Sequence, residues 1–346
     1  SCLSNIKKTI SMKIVHFINS ESYGGIEQHV QELGTYQKNT HEVTIVCNEF
    51  LSQYFVDDFK VSIVKSFSRH NYFYLFSFYN VIRLINPDIV HTHGSKTTSI
   101  YSKIKNFIKA THISTIHNIK TNVKIYNKAD HVIAVSDEIT EGLSDFSVVT
   151  NWINFDVNEI ISTINKEEHA LAVGRFEKAK GFDLLIKSWA NIQRELVIIG
   201  DGSEYQALDK LIKHMNLDHK ITLKKFMPYE EILKEFAKAK VFILPSRNEG
   251  GPRVALEALA LNTPVLSTKV GHMSSIFPDE MLVEPNNQQK LKEFLELYVD
   301  KIDTINQKSI FEYVLEEFSL ENQALKIDEI YKKINSNEYT IHTLKK

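Results

Sequence analysis

Apolar positions along the chain fall into short, nearly continuous runs separated by longer stretches with helical spacing. Residues 12–19 (MKIVHFIN) form a β-branched, apolar run that predicts a strand; Gly24-Gly25 makes a turn, and a helical pattern begins at Ile26. Glu42–Cys47 predicts the next strand. Residues 75–85 predict a helix stopped at Asn86-Pro87-Asp88, because proline disfavours helical geometry in the residue before it. Further strands are predicted at Ile89–His93, residues 113–117 and residues 131–135. Strands that are apolar on both faces and alternate with helices imply a parallel sheet covered on both sides.

The pattern restarts after Trp152. Strands are predicted at residues 169–174, 196–200, 221–223, 241–245, 265–268 and 282–284, and helices at residues 183–192, 203–215, 229–239 and 253–261. The remainder reads as helix to about Asn335. The predicted fold class is α/β, with two Rossmann-like, doubly wound parallel-sheet domains facing across a cleft. They span residues 12–160 and 166–318, and residues 319–346 form a C-terminal helix packing back toward the first domain. Open α/β sheets bind ligands at the carboxyl ends of their strands, so the loops there are the expected site of chemistry. Residues 1–11 (SCLSNIKKTIS) lack the apolar core of a signal peptide and read as a disordered arm or cloning remnant.

Composition narrows the class. A length of 346 residues suits two domains, and a net charge of −2 gives no reason to expect nucleic acid as a partner. Cys2 and Cys47 are too few for a disulfide framework or a structural zinc site and fit a reducing cytoplasm. No apolar run approaches the ~18 residues of a membrane span. One local imbalance stands out. No acidic residue lies between Asp88 and Asp130, yet Lys96, Lys103, Lys105, Lys109, Lys120, Lys124 and Lys128 do, just after an aromatic cluster from Tyr72 to Tyr79. Basic residues beside aromatics suit peripheral contact with an anionic membrane face; the ordinary reading is a solvated lysine face and a buried helix.

Candidate chemistry is densest at residues 244–257, LPSRNEGGPRVALE. A buried strand runs into a polar loop with Glu249, Gly250, Gly251 and Pro252, and a helix starts near Arg253. Unsatisfied N–H groups at a helix start favour an anion, glycines admit close approach, and Glu249 can accept hydrogen bonds from sugar hydroxyls. The ordinary reading makes Glu249 a helix N-terminal charge and Glu257 a solvated helix residue.

Glu249-x7-Glu257, inside S-x-x-E-G-x-P-x-V-x-L-E-A, resembles the signature of the retaining glycosyltransferases of family 4, which have the GT-B fold. Residues 263–271 (TPVLSTKVG) and 172–182 (AVGRFEKAKGF) resemble further segments of that family. The resemblance implies transfer of a hexose unit from a nucleoside diphosphate sugar, UDP ahead of GDP, to a glycan or lipid-linked acceptor in cell-surface polysaccharide assembly. It implies that Glu249 grips the sugar, Arg175 and Lys180 hold the diphosphate and Glu257 meets the ribose. It places main-chain groups around Met227 at the base. Read from the residues alone, Gly24 and Gly25 at the strand-to-helix turn make an anion or backbone-contact loop, or else a tight turn with no ligand. His93, at a strand tip, is the histidine near the reacting sugar, with His117 the next candidate. The sequence departs from the family at Gly251, usually aromatic, at His272, usually glycine, and at Lys225-Phe226, where a glycine is usual.

No cofactor and no metal are expected: no Asp-x-Asp occurs, and the histidines show no ligand spacing. Gly200-Asp201-Gly202 lacks the third glycine of a dinucleotide fingerprint, since Tyr205 stands there. A sugar-nucleotide epimerase of the same architecture and a non-catalytic glycan-binding member are the alternative functions.

Overall fold

In a computed structural model of the protein, residues 11–66, 72–118 and 123–336 are described, with the side chains of residues 72 and 73 outside that description. Residues 1–10 of the predicted arm, residues 337–346 and Lys120 therefore lie outside the described residues. The chain divides into two compact units. One comprises the chain up to Val135, Ile139–Val149 and the chain from Leu320 onward; the other comprises Ser136–Glu138 and Thr150–Ser319.

The first unit carries strands β1 (Lys13–Phe17), β2 (Glu42–Cys47), β3 (Lys60–Ile63), β4 (Ile89–His93), β5 (Thr111–Ile116), β6 (His131–Ala134) and β7 (Phe146–Val148). They form one parallel sheet in the order β3-β2-β1-β4-β5-β6-β7. Its helices are α1 (Gly25–Gln37), α2 (Glu49–Ser52), α3 (Tyr72–Ile85) and α4 (Ser95–Tyr101). The aromatic run of α3 does not act as one cluster. Phe78 is buried and its ring lies 4.5 Å from that of Phe17 in β1, whereas Phe76 is 69% exposed.

The second unit begins with helix α5 (Val157–Ile161) and strand β8 (Ala170–Val173). Helix α6 (Phe182–Ser188), β9 (Leu196–Ile199), α7 (Tyr205–His214), β10 (Ile221–Lys224), α8 (Tyr229–Lys238) and β11 (Val241–Leu244) follow. Helix α9 (Arg253–Ala260), β12 (Val265–Thr268), α10 (Met273–Ile276), β13 (Leu282–Val283), α11 (Gln288–Tyr298) and α12 (Lys308–Glu317) complete it. Its parallel sheet has the order β10-β9-β8-β11-β12-β13. Trp189, Phe236 and Phe242 are fully buried between sheet and helices. The last helix, α13 (Leu320–Asn335), returns to the first unit, where Tyr331 is buried against β4.

The stretch expected to be helical to about Asn335 holds three helices, α11, α12 and α13. Just past the end of α11, Asp300 accepts the backbone N–H groups of Gln193 and Arg194. Gln307 is buried and bonds both the N–H and the C=O of Val265 with its side-chain amide, so this stretch serves strand β12. Strands β3 and β7 and helix α4 carry too little apolar periodicity to be seen in the sequence.

Among the described residues no helix is long and apolar enough to cross a membrane. In each sheet the strand order reverses direction once, between β1 and β4 and between β8 and β11. Loops diverge at such a switch point and leave a crevice at the strand carboxyl ends, where ligands of doubly wound folds bind.

Candidate functional site

The switch point of the second unit gathers the charged candidates. The loop after β8 holds Arg175 and Lys180, and the loop after β11 holds Glu249. Gly181 has φ +70°, and a Cβ there would lie 2.1 Å from the carbonyl oxygen of Pro245, so only glycine lets these two loops touch. Arg247 then ties them together. Its guanidinium donates to both carboxylate oxygens of Asp183, at 2.6 and 2.8 Å, and to the Lys178 carbonyl at 2.7 Å.

Within this frame Lys180 Nζ donates to Glu249 Oε1 at 2.5 Å, and Ser246 Oγ donates to the same oxygen at 2.9 Å. Both charged side chains are largely buried, 22% and 10% exposed. Arg175 stands differently: its side chain is 74% exposed and pairs with Glu177 at 2.7 Å. Glu257 is not a solvated helix residue. It is 4% exposed and accepts a hydrogen bond from the Tyr229 hydroxyl at 2.8 Å, with Arg253 Nε 3.8 Å away.

Gly250, Gly251 and Pro252 lead into α9, with Pro252 at its N-cap and the Gly251 carbonyl accepting from Asn151 Nδ2 at 2.6 Å. Gly271 has φ +53° and packs on the Gly250 carbonyl, where a Cβ would lie at 2.9 Å. Its N–H donates to Glu138 Oε2 at 2.7 Å; burial raises that carboxyl's pKa. His272 is buried and held neutral, its pKa pushed down by burial to about 3. Met227 packs on the apolar core and does not join the charged group. Gly200 and Gly202 pack on the backbone of Gly174 and Phe176, where side chains would collide at 2.0 and 2.6 Å; they are glycines for packing.

The switch point of the first unit sets Glu27 and Lys96 beside a group of buried histidines. A cavity of about 180 Å³ there is lined by Asn19, Ser20, Glu27, His93, Lys96 and His117, among others. Ile26 and Glu27 line it, but Gly24 and Gly25 do not. A Cβ at Gly25 would meet nothing within 4 Å, so that position is open rather than cramped. Glu27 closes the start of α1, accepting from the Gly24 N–H at 3.0 Å and from Ser20 Oγ at 2.6 Å. Lys96 turns inward to Asn19 Oδ1 at 3.0 Å.

His93 is 4% exposed, and behind it lies a histidine assembly that sequence spacing does not reveal. His16 Nδ1 is 3.0 Å from His93 Nε2, and His93 Nδ1 is 3.2 Å from His117 Nε2. His91 bonds the Tyr331 hydroxyl at 2.5 Å and Thr115 Oγ1 at 2.6 Å. Burial, and after it the neighbouring rings, hold His91 and His93 well below the ordinary histidine value. Burial brings His16 to about 4 and His117 to about 3. Two triads, His16-His91-His93 and His29-His93-His117, bring ring nitrogens within 4.8 Å of one another, a donor set that could hold a metal ion. His16, His29, Gln37 and Asp328 were hidden because they sit in runs whose pattern reports only strand or helix. Inward alternation of His16 on β1 is the one signal the sequence offered.

Comparisons with known proteins agree with this architecture. Residues 23–153 match the model of Glycosyltransferase Family 4, and residues 156–307 match that of Glycosyl transferases group 1. An uncharacterized glycosyltransferase of Methanocaldococcus jannaschii, MJ1178, is 27% identical over 293 residues, 78% of each chain. The N-acetylgalactosamine-N,N'-diacetylbacillosaminyl-diphospho-undecaprenol 4-alpha-N-acetylgalactosaminyltransferase of Campylobacter jejuni is 37% identical over 143 residues, 38% of each chain. Anabaena HepE, solved in complex with UDP and glucose, superposes with a TM-score of 0.78 at 17% identity, covering 93% of this chain and 100% of that one. The two parallel sheets, the matched models and the relatives lead to one conclusion: the chain is a glycosyltransferase of the GT-B type.

Proposed function

We propose that the chain transfers a hexose unit from UDP-sugar to a hydroxyl of a glycan or lipid-linked acceptor, with retention at the anomeric carbon and without a metal. The Lys180–Glu249 pair, drawn from two different loops of a switch point, carries the reading. An arriving diphosphate competes for the Lys180 ammonium, and Glu249 is released toward the sugar hydroxyls. Lys180 and, from the rim, Arg175 meet the charge that builds on the diphosphate as the C1–O bond breaks. Glu257 takes the ribose hydroxyls. The acceptor oxygen forms the new C1–O bond on the same face, and its proton passes to the leaving phosphate oxygen. In the first unit His117, uncharged, hydrogen-bonds a hydroxyl group, and His93 stands behind it with both ring nitrogens bonded to His16 and His117.

UDP is supported by its presence in the HepE complex, and a lipid-linked acceptor by the undecaprenol relative. A thermal-shift screen of nucleoside diphosphates tests the donor: a ligand at 100 times its Kd adds about 2.7 kcal/mol. UDP is expected to stabilise most, and activity is expected to survive EDTA. No shift with any nucleoside diphosphate, or a strict Mn²⁺ requirement, overturns the reading.

We also assign the protein to the cytoplasm, in peripheral contact with an anionic leaflet. Phe107 is 74% exposed and lies between Lys103 and Lys109 in the chain. Lys105 does not serve, because it is tied to Asp130 at 2.5 Å, nor does Lys96, which bonds Asn19. Co-sedimentation with anionic liposomes at low salt, lost when Lys103 and Lys109 become glutamate, is the expected result; no binding ends the assignment.

A further inference from the structure

The hydrogen bonds behind the first unit's cavity run in one direction. Asp328 of α13 is 4% exposed, and a carboxylate only accepts. Its Oδ1 takes a hydrogen from Gln37 Nε2 at 2.8 Å. His41 faces its other oxygen: the Met12 N–H donates to His41 Nδ1, so the ring hydrogen sits on Nε2, 3.4 Å from Asp328 Oδ2. With its NH₂ committed to Asp328, Gln37 can offer only Oε1 to His16, at 2.8 Å.

A neutral imidazole has one N–H and one lone pair, so each ring passes the constraint on. His16 donates through Nε2 and accepts at Nδ1. His93 must then donate from Nε2 to His16 and accept at Nδ1. His117 donates from Nε2 to His93, and its own Nδ1 is left as a lone pair. No hydrogen bond reaches His117 Nδ1 among the described residues, and His117 is a wall of the cavity. The Tyr331 and Thr115 hydroxyls that bond His91 can each donate or accept, so they adapt to the chain rather than set it.

We propose that Gln37, oriented by Asp328, is a positioning residue that locks His16, His93 and His117 in series, so that the cavity meets an accepting nitrogen on His117, which takes a hydrogen from a hydroxyl ligand. The hydroxyl ligand rests on the acceptor reading above, whereas the tautomer order does not. Burial keeps all three rings uncharged near neutral pH, as the one-donor, one-acceptor logic requires.

Ring-¹⁵N histidine NMR on the full chain reads the tautomers directly. Wild type is expected to show Nε2–H on all three rings. Gln37→Lys puts a donor where an acceptor stood and keeps Asp328 as its counter-ion, so every bond reverses and His117 moves its proton to Nδ1. His117 then presents an N–H, which a hydroxyl can still meet by accepting, so the reversal is read from the ring nitrogens themselves, with the acceptor KM moving by no more than about tenfold and UDP affinity unchanged. Gln37→Met, which adds no charge, is expected to give averaged tautomers and decides the matter if the lysine variant does not fold. A pure Nε2–H signal on His117 in every folded variant overturns the proposal. So does stoichiometric Zn²⁺ that shifts His93 and His117 together, since the rings would then be metal ligands. A locked order without transfer to any hydroxyl supports the relay and removes only the acceptor reading.

Discussion

The two units share a sheet topology and a switch point, yet they fill it with opposite chemistry. In the second unit the switch holds full charges in close pairs, Lys180 with Glu249 and Arg247 with Asp183. In the first, Glu27 and Lys96 stand at the cavity and the interior behind them holds imidazoles that burial strips of charge, His16, His91, His93 and His117. Charges at the mouth of a sheet suit an anionic ligand and transition state, and their effect grows as water is excluded. Uncharged rings suit hydroxyls, which need direction rather than field. A doubly wound fold thus fixes where a ligand binds, and the side chains on its loops decide what kind.

The comparison breaks most visibly at Glu249. Glu249→Gln keeps the shape of the side chain but leaves Lys180 without its counter-charge and the sugar without its grip. The expected loss is about 10²–10³ in kcat, the scale of one electrostatic contact made in the transition state. Unchanged folding by circular dichroism accompanies it. A variant with wild-type kcat on its true donor would move the sugar site elsewhere.

Next in size comes a division that the structure draws between the two cations. From the sequence, Arg175 and Lys180 are equivalent. In the structure Lys180 is largely buried and Arg175 mostly exposed. Lys180→Ala should therefore weaken UDP binding by about 1.5–3 kcal/mol, as for a charged hydrogen bond. Arg175→Ala should cost only about 0–1 kcal/mol, as for an exposed pair. Calorimetry that finds the larger loss at Arg175 would mean that the loop after β8 reorganises around the ligand.

Much of the second unit's site was legible because it is local. Glu249, Gly250, Gly251, Pro252 and Glu257 lie in one strand-loop-helix segment, and Lys180 lies in another, so motif spacing carries them. What remained hidden is long-range. Gln37 meets Asp328 across 291 positions, and His91 meets Tyr331 across 240. No window of sequence holds both partners, and a histidine in an apolar strand looks like any other core residue. The same reason explains Gln307, whose spacing reads as helix while its amide serves β12. Strands β8, β9 and β11 were legible because burial on both faces makes them continuous apolar runs.

An effect smaller than the losses at Glu249 and Lys180, about 1.4 kcal/mol per group, sharpens the comparison through pH. Unfolded, each histidine titrates near its ordinary value of about 6.5. Folded, burial lowers His16 to about 4 and His112 and His117 to about 3, with His91 and His93 also well below normal. Below pH 6.5 the unfolded chain binds protons that the folded chain refuses. Stability from these rings is thus complete above 6.5 and is lost as the pH falls toward their folded values. At pH 5.5, one unit below, each ring has forfeited about 1.4 kcal/mol. The second unit has one ring as deep, His272 at about 3. Hydrogen exchange at pH 7 and pH 5.5 should therefore show the first unit losing protection well before the second, with His16, His93 and His117 peptides leading. If both units lost protection together, or the second went first, the first unit's rings would already be charged in the folded protein, and its switch point would carry the same ionic chemistry as the other.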